Sequence, residues 1–66
     1  MMADRFTLIA RKQEVRRRLE TLQRQLEHER AKPYPVRRRI DQLERQAEQL
    51  MAEEASLRIA IDQAGK

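Results

Sequence analysis

Two runs of positions, each spaced alternately by four and three residues, organise the chain. The first runs through Leu8, Lys12, Val15, Leu19, Leu22, Leu26 and Glu29. The second runs through Val36, Ile40, Leu43, Ala47, Leu50, Glu54, Leu57, Ile61 and Ala64. A mean period of about 3.5 residues is that of a heptad seam, in which one stripe of an α-helix faces a partner helix. Between the runs stands Lys32-Pro33-Tyr34-Pro35. The two prolines remove two N–H donors and push Lys32 and Tyr34 out of the helical region. From Ala3 to Ala31 and from Val36 to Ala64 there is neither Pro nor Gly, and strong helix formers fill both stretches. The pattern predicts an all-α chain in one domain: a helix over about 4–31, a turn over 32–35 and a helix over about 36–64. Asp4 is placed to cap the first helix, and Pro35 to sit in the first turn of the second.

Folding the chain back at the prolines brings the seams together as an antiparallel two-helix coiled-coil hairpin. Leu26 then meets Leu43, Leu22 meets Ala47, Leu19 meets Leu50, Val15 meets Glu54, Lys12 meets Leu57 and Leu8 meets Ile61. The residue numbers of every pair add to 69, so a register chosen from the seams alone puts its turn at Tyr34 and Pro35. Lys12 and Glu54, the polar members of adjacent layers, are expected to pair and pin the register.

Two helices alone leave each seam residue partly wet, so the hairpin is expected to be completed by oligomerisation or by a partner. Outside the seams, Met2, Phe6, Ile9, Met51 and Ile59, with Ala52, Ala55 and Ala60, are expected to gather at the open end, where the termini meet. An apolar patch of that kind marks an interface with a second copy or with another helical protein.

Composition narrows the picture. Of 66 residues 39% are charged, fifteen basic against eleven acidic, for a net charge of +4. Twelve of the basic residues are arginine. Eight of the apolar residues are alanine, and the chain has one Gly, one Phe, one Tyr and no Trp. This excludes a collagen, a β-sandwich, a Rossmann domain and most enzymes, which need more chain to build a pocket. There is no cysteine, hence no disulfide framework or thiolate metal site. The opening residues lack the apolar run of a secretory signal, and no stretch reaches the ~18 apolar residues of a membrane span. A cytoplasmic protein without a membrane role is the expectation.

Candidate chemistry is sparse. His28 stands alone without a paired-ligand spacing, so no metal site is expected. Glu53 and Glu54 diverge by about 100° on a helix and do not make an acid–base pair. Ser56 is the only serine, and there is no Gly-rich phosphate loop. No catalytic residue, cofactor or enzymatic activity is expected. The Arg16–Arg18 and Arg37–Arg39 runs each spread around a helix, with Arg16–Glu20, Glu14–Arg18 and Arg37–Asp41 at ion-pairing distance in sequence. Arg30, Lys32, Arg37, Arg38 and Arg39 converge at the hairpin tip as a possible anion site, but acids are interleaved along the sequence. Tyr34 is expected to pack back on the tip, with contact to a partner as the alternative.

The turn and its flanks resemble the YdcH-like family of short, uncharacterised bacterial proteins. Leu8-Ile9-Ala10-Arg11-Lys12-Gln13 is similar to the family's opening, and Pro33, Pro35, Ile40, Leu43, Leu50 and Glu53 follow its second half in order and spacing. The likeness covers roughly residues 6–57. It departs where the family has a lysine-rich stretch and Lys-Asp-Glu, here Leu43-Glu44-Arg45-Gln46-Ala47-Glu48 and Met51-Ala52-Glu53. The resemblance implies a small helical hairpin and no known activity. In size and topology the chain is also similar to the hairpin co-chaperones of type III secretion.

These readings converge on a protein-interaction or assembly module that forms a homo-oligomer. Two alternatives stand beside it: a small nucleic-acid-associated protein using the arginine tip, and a co-chaperone holding one helix of a client.

Overall fold

The computed structural model describes residues 4–65 and consists, over that range, of two helices folded back on one another. Helix α1 spans Arg5–Arg30 and helix α2 spans Arg37–Ala64. The hairpin is 51 Å long and 17 by 14 Å across, the dimensions of two helices side by side.

Local chemistry explains the ends. Asp4 caps α1: its Oδ1 accepts the Thr7 N–H at 2.7 Å, and that bond holds its carboxyl below the usual aspartate range. At the other end the Ala31 N–H reaches the Glu27 carbonyl at 3.0 Å and the Lys32 N–H the Glu29 carbonyl at 3.3 Å. Pro33 then stops the ladder. Helix α2 begins one residue later than its proline suggested. Val36 is the N-cap, so Pro35 lies outside the helix instead of in its first turn. Val36 offers no side-chain acceptor, and no acid stands in the first turn of α2.

The buried residues are seam residues. Val15, Leu19, Leu22, Leu26, Leu43 and Ala47 form the core, with Ile40, Leu50 and Leu57 packed against it and partly exposed. Burial is deepest at Leu43 and at Val15, in the middle of the hairpin. In the open half Leu8, Leu57 and Ile61 are only half covered.

With the seam as positions a and d of a heptad, Arg11 and Glu53 are both g, and Arg30 and Glu44 are both e. Like-lettered flanking positions meet across an antiparallel pair, and both pairs form. Arg11 binds Glu53 at 2.7 Å on one side of the seam, and Arg30 binds Glu44 at 3.1 Å on the other. Their placement on opposite sides fixes the register at the one the seams require. At the open end, a Cβ built on Gly65 would meet the Arg5 guanidinium at 3.4 Å, which agrees with that register.

The seam pair expected between Lys12 and Glu54 is not among the ion pairs of the described residues. Glu54 lies 3.6 Å from Arg58 on its own helix. Both seam side chains have stems long enough to carry their charged heads to the surface. The flanking g and e pairs therefore do the orienting that the seam pair was expected to do.

Candidate interaction surfaces

The tip is organised around Glu29. Among the described residues it is the one buried charged side chain, 6% exposed, in the last seam position of α1. Oε1 accepts the Val36 N–H at 3.1 Å and Oε2 takes the Lys32 ammonium at 2.8 Å. The Lys32 bond, then the Val36 bond, hold its carboxyl below the usual glutamate range. Glu29 thus satisfies a donor that a turn with two prolines leaves open. Its place in the heptad marked it as a seam residue, but the turn contact needed the fold.

The five tip cations do not converge on one patch. Arg30 is drawn to Glu44 on the e side, and Arg37 stands at e on that same side. Arg39 is at g on the opposite side, where Lys32 also lies, and Arg38 is at f on the outer back of α2. Lys32 and Arg39 line a hollow of about 330 Å³ with Arg24 and His28, two residues that the linear sequence had not grouped with the tip. Tyr34 does not pack back on the tip. It is 90% exposed, because the prolines on either side hold it on the outer rim of the turn.

The exposed acids of the tip half lie on one side. The exposed or half-exposed carboxylates between residues 17 and 51, namely Glu20, Glu27, Asp41, Glu44 and Glu48, all occupy b or e. Arg17, Arg18, Arg24, Arg38, Arg39 and Arg45 all occupy f or g, and none lies within ion-pair distance of a carboxylate of the described residues. The exposed acids of the tip half thus keep to one side, which Arg30 and Arg37 share, while the other six arginines follow the heptad with a different phase. The expected pairs Arg16–Glu20, Glu14–Arg18 and Arg37–Asp41 are likewise absent among the described residues. Glu14 bonds Arg11 at 3.1 Å instead.

Of the apolar residues outside the seam, Met2 lies outside the described residues. Phe6, at b, is 82% exposed, and Ile9, at e, is half-buried near it. Met51 is also at e and exposed, but about 12 residues from the level of Phe6, or ~18 Å along the hairpin. Ile59 is exposed at f, on the back of α2. Phe6, Ile9 and Met51 therefore share one side, with Arg16 and Arg58 facing each other at e between them. Among the described residues no group of His, Cys, Asp and Glu is arranged to hold a metal ion, and no helix is long and apolar enough to cross a membrane.

Comparison of the chain with family models, with curated proteins and with solved structures finds no match.

Proposed function

We propose that the hairpin is a non-enzymatic assembly module that self-associates through the apolar side of its open half. The observation that carries this is the exposure of Phe6 beside a core that thins toward the same end, where Leu8, Leu57 and Ile61 are half covered. A second hairpin laid over these residues would bury them as a four-helix bundle does. Charge limits the overlap. In the tip half the same side carries five carboxylates against two arginines, Arg30 and Arg37, so two copies meet through their open halves and their tips point apart. The resemblance to YdcH-like proteins supports the hairpin alone, and the likeness to secretion co-chaperones is one of size and topology. The proposed setting is the cytoplasm, as in the sequence reading.

Light scattering at tens of micromolar tests the reading. The expected species is heavier than the 7.9 kDa monomer. Phe6→Glu combined with Met51→Glu returns it to monomer, and Ile59→Glu on the back of α2 has the smaller effect. A wild-type monomer that none of these changes affects sinks the proposal. If that monomer instead captures an amphipathic helical peptide, the surface belongs to a client helix.

A further inference from the structure

Two open grooves lie in line along the g side of the tip half, edged by residues at c and f. The larger, of about 670 Å³, has Leu22 and Leu50 in its floor and Arg17, Arg18, Gln46 and Gln49 on its walls. The second, of about 330 Å³, continues toward the turn between Arg24, His28, Lys32 and Arg39, with Leu43 in its lining. Each groove contains one acid, and each acid is already engaged: Glu53 by Arg11, and Glu29 by Lys32 and Val36. The cations that line the grooves, four arginines (Arg17, Arg18, Arg24 and Arg39) with Lys32, form no ion pair among the described residues except the one between Lys32 and Glu29. The run from Arg17 to Lys32 is 15 residues, about 22 Å of helix.

We propose that this side of the hairpin binds the phosphate backbone of a nucleic-acid strand, with Tyr34 offering a stacking surface at the tip. Four features point to that ligand. Arginine, with its planar fork of donors, is the side chain suited to phosphate oxygens, and here it supplies all but one of the cations. The length of the basic strip matches about six nucleotides at the ~3.4 Å spacing of a stacked strand. Gln25, Gln46 and Gln49 along the grooves both donate and accept, as base edges do, whereas the carboxylates of an acidic protein only accept. An exposed tyrosine two residues along the chain from Lys32, which lines the groove, is the kind of platform on which unpaired bases stack. The surface is also separate from the apolar open half, so both can be occupied together and neither reading rests on the other.

The test is fluorescence anisotropy with a labelled single-stranded oligonucleotide of about 12 nucleotides, over a series of salt concentrations. Two double variants remove equal charge from opposite sides: Arg24→Gln with Arg39→Gln on the f and g side, and Arg16→Gln with Arg37→Gln at e. Glutamine is nearly as good a helix former as arginine, and circular dichroism checks that helicity is kept. Wild type is expected to bind with a log–log salt slope of several units, each neutralised phosphate contributing about −0.7. The f and g variant should bind roughly tenfold more weakly with a shallower slope, while the e variant stays within about threefold of wild type. Tyr34→Ala should weaken binding without changing the slope, because stacking releases no counterions. The proposal is overturned if wild type does not bind at low salt. It is equally overturned if both double variants lose the same affinity, which would mean attraction to net charge alone. Polyglutamate competing as well as the oligonucleotide would assign the surface to an acidic protein and overturn it too.

Discussion

The Glu29 carboxylate accepts the Val36 backbone N–H at 3.1 Å, so the last seam position of α1 is bonded to the residue that caps α2. Its second oxygen holds Lys32, and the two contacts tie both ends of the proline turn to one side chain.

Glu29→Gln keeps an acceptor for Val36 but leaves Lys32 without its counter-charge. The expected result is a lower melting temperature near neutral pH, and a larger loss for Glu29→Ala. Because the folded carboxyl titrates below its usual range, its contribution is complete above that range and is lost as the pH falls through the lowered value. Melting curves of wild type and Glu29→Gln should therefore differ at pH 7 and converge in strong acid, below the lowered value. Curves equally far apart under both conditions would show that the Glu29 charge is not what matters.

Leu43 is 2% exposed at the centre of the core, and Leu57 is half covered in the open half. Leu43→Ala should cost about 2–5 kcal/mol, enough to unfold so small a hairpin, and Leu57→Ala distinctly less. Urea midpoints read by circular dichroism separate the two. Equal losses would mean that the open half is covered as well as the tip half, as it would be inside a tight oligomer.

Helix α2 starts on a valine with no side-chain acceptor and three arginines at its positive end. Val36→Ser supplies the missing cap, while the backbone N–H that Glu29 uses is kept. A gain of about 0.5–1 kcal/mol is expected in thermal unfolding. No gain would show that the first turn of α2 is already satisfied by the Glu29 contact.

Leu19→Cys with Leu50→Cys places two thiols in one layer. Mild oxidation should give an intrachain disulfide and a monomeric band on a non-reducing gel, since bridged Cα atoms lie within about 7 Å. Exclusively interchain bonds would replace the hairpin with a swapped pair of helices.

Most of the fold is legible in the chain because two independent signals agree. The seams place their turn at Tyr34 and Pro35, and the prolines forbid a helix at the same point. The core is legible for the same reason: apart from Glu29, the buried residues are the apolar members of the seams on either side of that turn. Helix boundaries differ from the expectation by a residue or so, and Pro35 stands just outside α2. A proline is tolerated on either side of a helix start, so its identity alone does not choose.

The surfaces depended on the tertiary arrangement. The seam charges Lys12 and Glu54 suggested a pair that the described residues do not form, while Arg11–Glu53 and Arg30–Glu44 join residues 42 and 14 positions apart. Such pairs exist only once the second helix has come back in one register. Glu29 reads in the chain as another polar seam position, and only the turn brings Val36 to it. The tip cations Arg30, Arg37 and Arg39 are near neighbours in number but lie on different sides of the hairpin, whereas Arg24 and Arg39 line one groove. By itself the sequence determined the helices, the turn and the register, because those follow from spacing along one chain. The structure decided which charges share a side, because that depends on the angle of each residue around its helix and on which face of the neighbouring helix it meets.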